Sequence, residues 1–217
     1  LLASGSLYGG HDAEWPYLIS TRMSGVAWAS ADLTHDQRRD VVGELGRQMR
    51  LVHAMPVLEG MAEEGSGDLD VAAAAGRSSL PGHLVAQVDD YLACLGPPDP
   101  VFTHADLTTR HVYVENGRLS GIIDWGDAAV MDRHYEIIQP YRDVCACDTA
   151  LFGVFLDAYD WPVGDDFPHR ALGMALFRQA HGLHQHLSMD VFEPIAALLP
   201  LDDIATLDDL AIELFDI

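Results

Sequence analysis

The chain contains no lysine. Its 217 residues carry twelve basic side chains, and all twelve are arginine. The phosphate-binding loop of P-loop nucleotide hydrolases is a glycine-rich turn that ends in Gly-Lys-Ser or Gly-Lys-Thr. The sequence therefore excludes that class of nucleotide-binding protein.

Cysteine is also scarce. The chain has Cys94, Cys145 and Cys147, which is an odd number, and the last two are separated by a single residue. That spacing is neither the spacing of a zinc-binding pair nor the C-x-x-C of redox proteins. We interpret the three cysteines as reduced and packed, which favours a cytoplasmic protein.

Long apolar runs and basic surface are missing as well. No segment approaches the ~20 apolar residues that span a bilayer, so we expect no membrane partner. The 34 acidic residues outnumber the arginines and give a net charge of −22 at pH 7. Nucleic-acid binding depends on basic surface, so we expect no nucleic-acid partner. An acidic cleft concentrates cations, which favours a small, cationic substrate.

The most informative part of the sequence is a loop followed by a hairpin. Two apolar, β-branched runs, Val112–Val114 and Leu119–Ile123, are separated by the residues Glu-Asn-Gly-Arg. Asn-Gly is the strongest short signal for a tight hairpin. Such a hairpin returns the chain on itself and places Asp106 and His111, which precede it, beside Asp124, which follows it. Phosphoryl transfer needs this set: a carboxylate to orient the acceptor hydroxyl, and ligands for Mg²⁺.

The same segment resembles the catalytic loop of a known enzyme family. Residues 104–112 read HADLTTRHV, and residues 123–125 read Ile-Asp-Trp. They are similar to the aminoglycoside and macrolide phosphotransferases, small-molecule kinases with a protein-kinase-like fold, whose pattern is H-G-D-x-x-x-x-N-[IV], a hairpin and [IV]-D-[WF]. The resemblance extends from about Trp15 to Tyr159, and more weakly to the C-terminus.

The resemblance implies roles for individual residues. Asp106 is expected to be the catalytic base, Asp124 the principal Mg²⁺ carboxylate and His111 a second metal ligand. Ala105 replaces the usual Gly, and His111 replaces the usual Asn. His at this place is similar to what macrolide kinases and some aminoglycoside kinases carry, and a neutral imidazole can ligate a divalent ion. The alternative is that His111 packs at the root of the hairpin.

Residues 17–25 resemble the last strand of a kinase N-terminal lobe and its hinge. By this resemblance, backbone groups of Ser20, Thr21 and Met23 bind the base of ATP or GTP. The alternative is an ordinary edge strand and turn. Kinases of this fold also use a strand-borne lysine of the N-terminal lobe to hold the phosphates. Because no lysine is present, we expect that the nucleotide lobe is missing from this sequence.

The predicted fold is α+β and protein-kinase-like. It has the last N-lobe strands and the hinge in residues 1–25 and a mostly helical C-terminal lobe in residues 26–217. Residues 60–76, which are rich in Gly, Ala and acidic residues, are predicted to form a loop. Hydrophobic periodicity and capping residues predict strands at 1–4 and 15–21, and helices at 34–55, 81–95, 135–159 with an interruption near Pro140, 168–187, 194–199 and 207–215.

The predicted activity is ATP- and Mg²⁺-dependent phosphorylation of a hydroxyl on a cationic small molecule. The resemblance implies an aminoglycoside- or macrolide-type antibiotic as the acceptor. Two alternatives remain open at the level of sequence. One is a metabolite kinase of the same fold, acting on choline, homoserine or a sugar amine. The other is a non-catalytic binding module that lacks the nucleotide lobe.

Overall fold

The structure is a computed structural model that describes residues 1–7, 15–57, 69–184 and 189–215. The strands are β1 Ala3–Leu7, β2 Trp15–Ile19, β3 Val26–Ala27, β4 Pro100–Thr103, β5 Val112–Glu115, β6 Arg118–Ile122 and β7 Ala129–Asp132. They form three small antiparallel sheets, β1 with β2, β3 with β5 and β6, and β4 with β7. The helices are α1 His35–His53, α2 Val71–Ala75, α3 Gly82–Val85, α4 Val88–Ala93, α5 Thr149–Tyr159, α6 Phe167–His184, α7 Glu193–Ala196 and α8 Leu207–Phe215. The α+β class predicted from the sequence is confirmed.

Helix α1 begins where the sequence predicts. The Thr34 hydroxyl accepts a hydrogen bond from the Gln37 amide at 3.3 Å, and the Gln37 side chain accepts one from the Thr34 amide at 2.9 Å. This reciprocal capping box satisfies two amide groups that would otherwise lack partners in the first turn. The helix ends at His53, before Pro56, as predicted.

Close packing of α1 against α5 builds one side of the core. The face of α1 that carries Val42, Leu45 and Met49 is fully buried. Gly46 lets the two helices approach, because a Cβ atom built on it would lie 2.4 Å from the Phe155 carbonyl oxygen. The remaining core connects these helices to α6 and α8 in one continuous cluster, which provides a rigid base for the loops.

The predicted hairpin is confirmed. Strands β5 and β6 pair with Val112 opposite Ile122, and both turn residues have positive φ, 52° for Asn116 and 76° for Gly117. Positive φ at both central positions is the type I′ geometry that matches the twist of the flanking strands. Just outside the hairpin, the Ile123 amide donates to the His111 carbonyl at 3.0 Å. His111 and Asp124 therefore leave the hairpin side by side.

The helix predicted at 81–95 and the loop predicted at 60–76 were both wrong in detail. Residues 81–95 form two short helices, α3 and α4, instead of one. At the break, the Gln87 side chain donates to the Ala205 carbonyl at 3.1 Å and accepts from the Leu207 amide at 3.1 Å, so it connects this segment to the start of α8. Within the predicted loop at 60–76, residues 71–75 form helix α2, capped by the Asp70 side chain; residues 60–68 lie outside the described ranges.

The predicted helix at 135–159 is helical in three separate pieces. Residues 133–136 form a 3-10 turn, Pro140–Val144 form a π-helical turn, and only α5 is a regular α-helix. The chain is interrupted by Ala146 and Cys147, which have positive φ of 53° and 59°. Asp148 then caps α5 by accepting from the Leu151 amide at 3.0 Å.

The sheet of β4 and β7 positions the catalytic-loop segment. Thr103, the last residue of β4, is paired with Ala129, the first residue of β7. The loop after β4 and the turn before β7 therefore meet at the same end of this sheet. Across the described ranges, no helix is long and apolar enough to cross a membrane.

Candidate active site

His104 holds the loop after β4 in place. Its backbone amide donates to Glu136 Oε2 at 2.6 Å, and its Nε2 atom lies 2.8 Å from the Ile123 carbonyl oxygen. Because a carbonyl only accepts, Nε2 carries the proton, and Nδ1 accepts from the Asp106 amide at 3.2 Å. Nε2 thus connects the loop to the residue after β6, and Nδ1 holds the loop backbone at Asp106, so His104 has a structural role.

Two residues on either side of the site have left-handed backbone conformations. Ala105 has φ of 63° and is 3% exposed, and Asp124 also has φ of 63°. Alanine in this region is strained by about 1–2 kcal/mol, whereas aspartate adopts it more readily. The two left-handed conformations turn the chain sharply immediately before Asp106 and again at Asp124.

His111 lies between the two predicted catalytic carboxylates. Its Nδ1 atom is 3.3 Å from Asp106 Oδ2, and its Nε2 atom is 3.3 Å from Asp124 Oδ2. Nδ1 also lies 2.7 Å from the Asp106 carbonyl oxygen, so Nδ1 carries a proton. The structure therefore brings together the three residues that the sequence analysis singled out, with the Nε2 side of the ring facing Asp124.

Two further residues contact Asp106 and were missed by the sequence analysis. The Oδ1 atom of Asp106 accepts a hydrogen bond from Gln139 Nε2 at 2.7 Å and another from Arg178 at 2.8 Å. Arg178 lies on α6, where it interrupts a run of small and apolar residues that includes Ala175 and Ala180. A charged residue on a buried helix face is rarely left unpaired, and this was the available signal.

The guanidinium of Arg178 is deeply buried. It also donates to the Ala105 carbonyl and to the Tyr135 hydroxyl, and it lies 5.5 Å from the centre of the Tyr135 ring. Burial alone would lower the pKa of Arg178, but Tyr135 and the carboxylates of Asp106 and Glu136 outweigh it and raise that pKa above its ordinary value. Arg178 is therefore a permanent cation beneath the loop.

Asp132 connects β7 to the surrounding elements. Its carboxylate accepts from the backbone amides of Asp99 and His134, both at 2.9 Å, and from Arg170 at 2.6 Å. Burial alone would raise the pKa of Asp132, but the hydrogen bonds from His134 and Asp99 lower it to about 2. The role of Asp132 is structural, since it braces the end of the β4–β7 sheet away from Asp106.

The predicted hinge lies against the hairpin. The Met23 side chain packs on Gly121 so closely that a Cβ atom there would lie 2.2 Å from the Met23 methyl carbon. The Ser24 carbonyl accepts from the Ser120 hydroxyl at 2.8 Å. Ser20 and Thr21 are exposed. The segment that includes Met23 therefore adjoins the strand that leads to Asp124.

Comparison with known proteins shows which family this sequence matches. The family model described as the phosphotransferase enzyme family matches residues 6–171. An aminoglycoside 3'-phosphotransferase from Escherichia coli is 31% identical over 137 residues, which are 56% of this chain and 50% of that protein. The chain thus spans about half the length of this curated relative.

Solved structures share the fold. The GDP complex of aminoglycoside 2'-phosphotransferase-IIIa superposes with a TM-score of 0.56 at 19% identity, covering 89% of this chain and 70% of the other. The macrolide 2'-phosphotransferase type I superposes with a TM-score of 0.54 at 19% identity, covering 93% and 68%. The kinase-like fold predicted from the sequence is confirmed. With the family model matching most of its length, this chain belongs to the phosphotransferase enzyme family.

Proposed function

We propose that the chain carries the catalytic lobe of a small-molecule kinase. The reaction is transfer of the γ-phosphoryl group of ATP or GTP, with Mg²⁺, to a hydroxyl of an aminoglycoside- or macrolide-type antibiotic. One observation carries this proposal: Asp106 and Asp124 lie on the two sides of His111, each 3.3 Å from a ring nitrogen. A carboxylate for the acceptor hydroxyl next to a pair of metal ligands is the arrangement that phosphoryl transfer requires.

The donor atoms fit a magnesium ion. With Nδ1 as the protonated nitrogen, the neutral form of the His111 ring would present the Nε2 lone pair to Asp124 Oδ2, which lies 3.3 Å away. Two hydrogen-bond acceptors lie this close favourably only when a cation or a proton is between them. Adjacent ligands of an octahedral Mg²⁺ are ~3 Å apart, which is close to the distance between these two atoms. The described ranges hold no group of three or more His, Cys, Asp or Glu that could bind a metal. Two protein ligands suffice, because Mg²⁺ usually keeps several waters and binds substrate phosphates.

In this proposal Asp106 acts on the acceptor. Its Oδ2 atom accepts a hydrogen bond from the acceptor hydroxyl and orients the oxygen toward the γ-phosphorus atom. Oδ2 receives the hydroxyl proton as the new O–P bond forms and the bond from phosphorus to the β-phosphate oxygen breaks, which releases ADP or GDP. His111 and Asp124 would hold the metal, which when bound would neutralise charge on the phosphates. The 25% exposure of the Asp106 side chain leaves room for this contact.

The proposal also covers the division of the chain, the binding of the nucleotide base at the hinge and the charge of the acceptor. We assign residues 1–25 to the last N-lobe strands and hinge, and 26–217 to the catalytic lobe. Backbone groups of Ser20, Thr21 and Met23 are proposed to bind the nucleotide base, supported by the packing of Met23 on Gly121. GDP in the aminoglycoside 2'-phosphotransferase of the same fold supports nucleotide use. The net charge of −22 favours a cationic acceptor.

The test compares two substitutions in the protein that the complete gene encodes. Asp106→Asn should lower kcat by about 10²–10⁴-fold, because the general base is lost, while nucleotide affinity stays close to that of the wild type. Asp124→Ala should instead abolish Mg²⁺-dependent nucleotide binding, measured by calorimetry. The matched control is Asp127→Ala, an exposed acid three residues further on, which should keep that binding. Unchanged Mg-nucleotide affinity in Asp124→Ala would refute the metal assignment.

A further inference from the structure

We propose that Arg178, assisted by Gln139, is a positioning residue that fixes the Asp106 carboxylate in the orientation needed for phosphoryl transfer. The two side chains bind Oδ1 of Asp106 and leave Oδ2 to the acceptor hydroxyl. This inference rests on the proposed function, because it assigns a role within the same site.

The contacts of Arg178 place its guanidinium beneath the loop. It donates to Asp106 Oδ1 at 2.8 Å, to the carbonyl of Ala105 and to the hydroxyl of Tyr135 at 3.1 Å. Its side chain is 8% exposed, whereas that of Asp106 is 25% exposed. Because the guanidinium lies on the protein side of Asp106, it acts through Asp106 and does not itself contact the acceptor.

The hydrogen bonds divide the two oxygens of Asp106 into different roles. Oδ1 accepts from Gln139 at 2.7 Å as well as from Arg178. Oδ2 lies 3.3 Å from Nδ1 of His111, but the proton on Nδ1 is shared with the nearer Asp106 carbonyl oxygen at 2.7 Å. The lone pairs of Oδ2 are thus the ones left for a hydroxyl donor.

Fixing this orientation matters for the reaction. The χ2 torsion of an aspartate is broad, so a carboxylate without partners samples orientations in which neither oxygen is aligned with the acceptor. Two donors on one oxygen remove that freedom before the substrate arrives. A misplacement of about 1 Å can cost about 10²-fold in rate.

Arg170 provides a matched control on the same helix. It lies eight positions before Arg178 and donates to Asp132 at 2.6 Å and to the Pro97 carbonyl at 3.0 Å. Its side chain is 13% exposed, and that of Asp132 is 6% exposed. Replacing Arg170 removes a comparable, largely buried ion pair of α6 without touching Asp106.

The first measurement is steady-state kinetics of the protein that the complete gene encodes. Arg178→Met should lower kcat by about 10²-fold, with the KM for nucleotide changed less than about twofold. Arg170→Met should keep kcat within about threefold of the wild type, although its unfolding temperature falls. If Arg178→Met turns over as fast as Arg170→Met, the positioning role is wrong.

The second measurement needs no activity and uses this chain itself. Thermal unfolding is followed for Arg178→Met, Asp106→Asn and the double variant. Removing one partner of a buried ion pair leaves an uncompensated charge, so Arg178→Met should lose roughly 10 °C. Adding Asp106→Asn should recover a large part of that loss, because it removes the unpaired charge. In the Arg170→Met background, Asp106→Asn should recover nothing.

The two measurements separate the two proposals. Strictly additive changes in the unfolding temperature would overturn the Arg178–Asp106 coupling whatever the enzyme does. A different outcome is that the coupling is observed but the wild-type protein transfers no phosphoryl group to any hydroxyl acceptor. That outcome would overturn the proposed function and, with it, the positioning role.

Discussion

At the scale of single residues, Ala105 replaces a glycine of the motif that residues 104–112 resemble, in a backbone conformation that favours glycine. The φ of 63° at Ala105 lies in the left-handed region, which glycine adopts without a steric penalty. The sequence alone showed the substitution but not the backbone angle, so its cost could be assessed only from the structure. The Cβ atom of Ala105 is accommodated in a small buried cluster with Met131 and Tyr135.

We expect Ala105→Gly to stabilise the fold. Glycine adopts this conformation without the strain of an L-residue, so the free energy of unfolding should rise by about 0.5–1 kcal/mol, measured by urea denaturation. The matched control is Ala211→Gly, an equally buried alanine within α8, which should lose about 1 kcal/mol because glycine is a poor helix former. A loss of stability in Ala105→Gly would mean that the methyl group contributes more by packing than it costs in strain.

Contacts between residues that are far apart in the chain could not be predicted from the sequence. His111, Asp106 and Asp124 could be placed together because a tight hairpin connects them. Arg178 and Gln139 could not, because their partner Asp106 is 72 and 33 positions away and no local pattern encodes such a contact. The ion pair forms only through the tertiary packing of α6.

At the scale of elements, two glycines of α1, Gly43 and Gly46, differ in how much space surrounds them where α1 packs against α5. At Gly46 an added Cβ would lie 2.4 Å from the Phe155 carbonyl oxygen, which is backbone and cannot move easily. At Gly43 the nearest atom would be the end of the Arg47 side chain at 3.6 Å, an ordinary contact. Gly46 is therefore needed for the close approach, and Gly43 is not.

Gly46→Ala should destabilise the protein, whereas Gly43→Ala should stabilise it. Overpacking at Gly46 should lower the free energy of unfolding by about 1–3 kcal/mol. Alanine at Gly43 should raise it by up to about 1 kcal/mol through helix propensity. Chemical denaturation of both variants tests this, and equal effects at the two positions would show that α5 can shift to accept the added methyl group.

Local signals account for the elements that the sequence predicted well. The capping box of α1 and the Asn-Gly turn of the hairpin are specified by neighbouring residues, and both were confirmed. The division of residues 81–95 into α3 and α4 was not predicted, because Gln87 bonds to residues near α8 that are about 120 positions away. The pairing of β4 with β7 was likewise not predicted, since it joins strands separated by the whole hairpin.

At the scale of the whole molecule, charge is the dominant feature. With 34 acidic residues against twelve arginines, the long-range field attracts cations and repels anions. Screening shortens this field from a Debye length of ~14 Å at 50 mM salt to ~4 Å at 500 mM. A cationic acceptor and an anionic nucleotide should therefore respond to salt in opposite directions.

We expect the KM for a cationic acceptor to rise on the order of three- to tenfold between 50 and 500 mM NaCl. The KM for the nucleotide should stay constant or fall over the same range. Steady-state kinetics in the protein that the complete gene encodes provide the measurement, and an uncharged hydroxyl acceptor provides the control. If the KM for the cationic acceptor does not respond to salt, the acidic residues lie too far from the acceptor-binding site to affect binding there.

The bond between Arg178 and Asp106 also sets an order of events during synthesis. A ribosome that adds about 5–20 residues per second needs roughly 4–14 s to cover the 72 positions from Asp106 to Arg178. Once residues 112–122 have been made, the nascent hairpin can form while the aspartate beside it has no arginine partner. Helix α6 must then emerge and dock before the loop reaches its final geometry. The aspartate that would carry the chemistry is thus made several seconds before the arginine that completes its surroundings.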